Sequence, residues 1–246
     1  MAQYYTKEVK PTITASKQHA AAFSDNDVLF NWTAFAVPRG THKLVGVQMT
    51  VKPKGDAGPT ANTFACDLLF ARRNDIRLGV INAAADNRPN PYIIGHVEMA
   101  ATGYAGGLTS TSICSAGRTP EDALDLVMTP RFENRDLSTQ LDALYVGAIA
   151  IGAFDFRTLN RVNETSFAAG TQTVITTDGS SMDIREHFAI NDVIHAHDDA
   201  VLGTVKSADA TTQITLSAAN TAAIADDDYL FDVNPVRLLL QFELGR

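Results

Sequence analysis

The apolar residues of this chain alternate with polar ones in run after run, and no long stretch repeats them at helical spacing. Val45, Val47, Met49 and Val51 fall on one side of an extended backbone, with Gln48 and Thr50 on the other. Phe64, Cys66, Leu68 and Phe70 repeat the pattern. A period of two belongs to the half-buried strand, so the chain is confined largely to sheets. Pro38-Arg39-Gly40 and the run KPKGDAGPT punctuate the strands, as turn and loop residues do. The result is about seven or eight short strands with little helix, the pattern of a sandwich or barrel.

Further strands are expected at Val28 to Val37, with Val28, Phe30 and Trp32 on one face, and at Tyr92 to Met99. Leu144 to Phe156 is apolar on both faces, which predicts a central strand or one covered by another layer. Ala123 to Thr129 fits two readings. Thr119-Pro120-Glu121-Asp122 has a helix start's cap, proline and acids, yet Leu124, Leu126 and Met128 alternate as in a strand. Ser138 to Leu144 fits one helical turn, Arg72 to Pro91 a polar connection, and Ala100 to Gly117 an exposed loop.

The strongly apolar run Val236 to Leu244 closes the chain. Between it and Leu144 to Phe156 lies a stretch of different character. Val201, Gly203 and Val205 share one face of a first run, and Ile214 and Leu216 share one face of a second. Ser207-Ala208-Asp209-Ala210 reads as the tight connection between them. This predicts a small β module inserted before the last strand. The expected organisation is an extended N-terminal arm over residues 1–23, a β-sandwich from 24–157 and 233–246, and the inserted module at 158–232.

Composition narrows the function. With 45% hydrophobic residues in 246 the chain can bury a sizeable core. A net charge of −8, with no basic cluster larger than a pair such as Arg72-Arg73, argues against direct nucleic-acid binding. Cys66 and Cys114 make no disulfide framework, and Cys66 reads as a small core residue. MAQYYTKEVKP lacks the apolar core of a signal peptide, and no run is long enough to span a bilayer, so a soluble protein made in the cytoplasm is expected.

Candidate sites are few. His195 and His197 lie two apart, which on a strand places them on one face, roughly 6.5 Å apart. With Asp198 and Asp199 they could hold a divalent metal only if a distant strand supplied a third ligand, and the favoured reading is a solvated face without metal. Asp226-Asp227-Asp228 lacks the spacing and glycine of a calcium loop and reads as a turn. Gly103, Gly106 and Gly107 do not have dinucleotide-fingerprint spacing. Neither a Gly-x-Ser-x-Gly elbow nor a Walker, zincin or Cys-x-x-Cys motif is present, so neither an enzyme nor a cofactor is expected. Asn31-Trp32-Thr33 and Asn163-Glu164-Thr165 match glycosylation acceptors by chance, given the missing signal.

Three segments carry a family resemblance. These are Asp27-Val28-Leu29 after an acidic turn, Asp67-Leu68-Leu69-Phe70, and Leu144 to Gly152. In this order, with the final VRLLLQFEL, they resemble a group of tailed-bacteriophage virion proteins with a jelly-roll-like β-sandwich. The inserted segment resembles small β-barrel add-ons of phage structural proteins. The resemblance implies an all-β fold: a jelly-roll-like sandwich with a barrel-like module before its last strand. It implies a cement protein that decorates the capsid exterior in the virion, with the major capsid protein and copies of itself, as trimers, for partners. The alternative is a head-fibre, neck or tail component that touches a host surface or glycans. Tyr4 and Tyr5 in the arm are the expected capsid or subunit contacts, since aromatic rings bury large area at modest entropic cost.

Overall fold

A computed structural model describes residues 3–53, 61–105, 111–117, 124, 126–129, 135–136, 141–157, 162, 166–178 and 183–244. In chain order the first strands are β1 (Gln3–Val9), β2 (Val28–Pro38), β3 (His42–Val51), β4 (Ala65–Ala71) and β5 (Ile93–Met99). Then come β6 (Ser112–Ala116), β7 (Leu126–Met128), β8 (Arg135–Asp136) and β9 (Leu141–Ile151). The module holds β10 (Val174–Thr176), β11 (Val193–Ala196), β12 (Val201–Ala210), β13 (Gln213–Leu216) and β14 (Leu230–Asp232), and β15 (Val236–Leu244) follows. Among the described residues the α-helices are α1 (Ala15–Ala20) and α2 (Ile184–His187).

The fold is an all-β sandwich. One sheet runs β1-β15-β3-β6, with β7 also on β3, and the other runs β2-β9-β4-β5, with β8 also on β9. The pairs are antiparallel throughout. Setting aside the module and the two short strands β7 and β8, the chain's eight strands fall in the orders first-eighth-third-sixth and second-seventh-fourth-fifth. That is the two-sheet Greek-key order of a jelly roll. The alternating residues of β3, β4, β9 and β15 meet in one core: Leu44, Met49, Leu68, Phe70, Leu144, Leu240 and Phe242 are all buried there. Phe35 of one sheet stacks on Phe242 of the other at 6.0 Å.

The module has its own sheet, in the order β10-β13-β12-β11-β14, and its own buried cluster, including Ile175, Ile194, Leu202, Ile214 and Leu230. That order has two ends, so the described strands form an open sheet where a barrel-like module was expected. The module sits between the seventh and eighth strands of the jelly roll.

The N-terminal segment is part of the sandwich. β1 pairs with β15 along its whole length, from Gln3 opposite Leu244 to Val9 opposite Leu238. Val9 and Ile13 are in the main core, and Pro11 precedes α1 without preventing it. Residues 3–23 therefore do not form a separate arm.

Several local expectations change. β2 shifts register between Val28 and Phe30 and again between Phe30 and Thr33. These bulges put Phe30 in the core, while Trp32 lies against Gly147 and donates its indole N–H to the Ile76 carbonyl. The connection from Arg72 to Pro91 therefore covers the outer face of β9, which is both central in its sheet and layered over. Leu126–Met128 is strand. The expected helix start at 119–123 lies outside the described residues, as do Gly106 and Gly107, the Asn163 acceptor, and most of the KPKGDAGPT loop. Residues 141–144 belong to β9, not to a helical turn. Part of the expected loop at 100–117 is β6, with Ser112 and Cys114 buried. In the module, β12 continues to Ala210 and the chain turns at Thr211-Thr212. A shift between Ile194 and His195 exposes Val201 and buries Leu202.

Candidate functional site

The two arm tyrosines lie on opposite faces of β1. Tyr4 is 68% exposed and stands opposite Glu243 in the register. Beside it a shallow depression is lined by Thr6, Val45, Gln241 and Phe242. Tyr5 turns inward, stacks on Phe242 at 5.3 Å, and places its hydroxyl 2.7 Å from His42 Nδ1. His42 is fully buried, and its Nε2 lies 2.7 Å from the Pro38 carbonyl. A carbonyl can only accept, so Nε2 carries the proton, Nδ1 accepts, and the Tyr5 hydroxyl donates. Burial holds His42 below the usual histidine range and pushes the Tyr5 phenol up. Of the pair, Tyr4 is the exposed one; Tyr5 is half-buried at the same depression.

A second polar cluster joins module to sandwich. Lys52, just after β3, places its ammonium 2.8 Å from Asp192 and also pairs with Asp232. Arg237 in β15 reaches Asp192 at 2.7 Å. Two cations from the sandwich thus meet two carboxylates from the module. Burial alone would raise Asp192, but Lys52, the Ala189 amide and Arg237 outweigh it and hold the carboxyl below its ordinary range. The adjoining His187 is pushed down to about 3 by burial and by Lys52, so it is neutral at ordinary pH. The charges here are balanced and mutually engaged, which suits a joint better than a reaction centre.

A third cluster gathers where α1 meets the module. His19 faces His197 with ring centroids 5.2 Å apart, and Tyr229 at the same distance. His197 Nδ1 bonds the Asp228 carboxylate, whereas His195 Nδ1 lies 3.1 Å from the Asp199 carbonyl. The two histidines that the sequence places on one face thus have separate partners, because His197 falls in the turn after β11. Asp199 takes two hydrogen bonds from Ser16, on its amide and its hydroxyl. Among the described residues no group of three or more His, Cys, Asp or Glu is arranged to hold a metal ion. Asn31 of the first glycosylation match is engaged with the Gly79 carbonyl and the Leu78 amide.

Sequence reasoning missed His19, Lys52 and Asp232, and it read Asp228 as part of a turn without a partner. The available signal was modest: Lys52 directly follows one apolar strand, and Asp232 stands a few residues before another. Charges at adjacent strand ends are placed to meet, but only the pairing of β15 with β3 makes those ends adjacent.

The fold and its surfaces define an all-β class: a sandwich in jelly-roll order with a β module inserted before the last strand. No family model matches the chain, and no curated protein matches it either. No helix among the described residues is long and apolar enough to cross a membrane.

Proposed function

We propose that this chain is a structural protein of a tailed-phage virion that binds the capsid exterior and reinforces or decorates it, as a cement protein does. The observation that carries this reading is where the three family-like motifs fall. Asp27-Val28-Leu29 leads into β2, Asp67-Leu68-Leu69-Phe70 lies in β4, and Leu144 to Gly152 spans β9 and its end. Those strands are neighbours in one sheet, in the order β2-β9-β4. Their adjacency in one sheet supports reading the three segments together.

On this reading the partners are the major capsid protein and further copies of the chain, and the role is mechanical. Tyr4 is the best-placed contact residue, being aromatic, exposed and on an edge strand. The test is co-sedimentation with expanded capsids, beside copy number in purified particles. Near-stoichiometric abundance with the shell protein is expected. Tyr4→Ala should weaken capsid binding about tenfold, the loss typical of a contact worth more than 1 kcal/mol, while leaving unfolding unchanged. Failure to bind capsids, with a few copies co-purifying with tails, would replace this reading by a head-fibre, neck or tail role. Isolated single copies in a particle reconstruction would remove the oligomer.

A further inference from the structure

Helix α1 is short and has no side-chain cap, so its position rests on what it touches. Gln18 donates to the Ile13 and Asp232 carbonyls, each at 2.7 Å. Ser16 holds Asp199 through its amide at 2.9 Å and its hydroxyl at 2.6 Å. At the end of the helix His19 packs on three rings of the module: His197, Tyr229 and Phe231.

We propose that this contact is a proton-sensitive latch: neutral His19, packed against His197, Tyr229 and Phe231, holds α1 on the module, and its protonation on acidification loosens it. An imidazole packed among rings loses less solvation when neutral than when charged. The groups around His19 come from three elements. His197 belongs to the turn after β11, with Asp198 and Asp199 beyond it and Asp199 already held by Ser16. Asp226, Asp227, Asp228 and Tyr229 belong to the turn before β14 and share the same surface depression. Arg157 follows β9 and is bound to Asp155. Asp228 is the carboxylate that favours charge on His19, and it is already engaged by His197 Nδ1 and by the Tyr229 amide. His197 and Arg157 act against that charge.

The sign follows. Burial first, then His197, lowers His19 below 6.5, against the pull of Asp228. The docked helix therefore binds protons less readily than the undocked one. Docking is fully favoured above 6.5 and is lost progressively as pH falls below it. The inference is independent of the virion reading, because it concerns only contacts within the chain.

The test is hydrogen exchange of the full chain, read as protection factors at pH 7.5 and pH 5.0. The Ser16 amide, bonded to Asp199, and the Gln18 amide, bonded to Thr14, report α1. Their protection should fall about fivefold or more, within the limit of tenfold per pH unit for one proton, while β9 amides stay unchanged. In His19→Gln the fall should shrink to less than about twofold on the same scale. His197→Gln keeps an N–H for Asp228 and removes only the second of the two causes that lower His19, so its fall should be smaller than the wild type's but larger than that of His19→Gln, and it serves if His19→Gln does not fold. Fluorescence of Trp32, the chain's one tryptophan, checks folding. Unchanged protection in the wild type, an equal fall in the variants, or an equal fall in β9 would each overturn the latch.

Discussion

Lys52 sets its ammonium 2.8 Å from the Asp192 carboxylate, so the end of a sandwich strand is tied directly to the inserted module. Its side chain is only 12% exposed, and Asp232, its other partner, only 3%. Lys52→Met leaves the nearly buried Asp232 with Arg237 at 3.9 Å as its remaining cation. Removing one member of such a pair costs about 3 kcal/mol. Urea unfolding should show that loss, and Lys52→Met with Asp232→Leu should recover part of it, since an apolar replacement removes the stranded charge.

The Tyr5–His42 hydrogen bond makes a second prediction. Tyr5→Phe removes the hydroxyl and leaves Nδ1 of a buried imidazole without its donor. The expected loss is about 1–2 kcal/mol. His42 is held below 6.5 by burial, with the Pro38 carbonyl and Asp142 acting the other way. Its contribution is therefore complete above 6.5 and lost as pH falls below it. Thermal melts of His42→Asn should show a weaker acid dependence than the wild type; an unchanged dependence would remove His42 from the account.

Gly147 tests the layer over β9. A Cβ there would stand 2.6 Å from Leu78 Cδ1 and 3.1 Å from Trp32 Cε3. Gly147→Ala must displace Leu78 or the indole, at about 1–3 kcal/mol. A shift in Trp32 fluorescence should accompany the loss of stability. An unchanged spectrum would show that the covering segment yields freely.

Deleting Thr158 to Asp232 and joining Arg157 to Val233 by a short Gly/Ser linker should leave a folded sandwich, because the two buried clusters are distinct. The cost falls on Lys52 and Gln18, which lose their module partners. One cooperative transition at a lowered midpoint is expected by circular dichroism. Loss of cooperativity would mean that the two clusters act as one core. Truncating Met1 to Lys10 is a different experiment: it removes β1, with Tyr5 and Val9, and should destabilise the sandwich itself.

The amino-acid sequence by itself determined the strands β3, β4 and β15, the buried face of β4 and that of β3 except at Val45, where Leu44 is buried instead, as well as the separate character of the inserted stretch. Alternation is a local property: successive side chains point to opposite faces whatever the strand pairs with. Tertiary structure alone decided the pairings. Nothing in QYYTKEV names the last strand, more than two hundred residues away, as its neighbour. The bulges in β2 and between β11 and β12 were equally hidden, because a one-residue shift turns a side chain over without changing the composition of the run. This is why Trp32 left the core and Leu202 replaced Val201 inside it. The polar clusters followed the same rule. His197 and Asp228 were both visible as residues, but that they meet each other and His19 was set by chain segments that converge only in the folded protein.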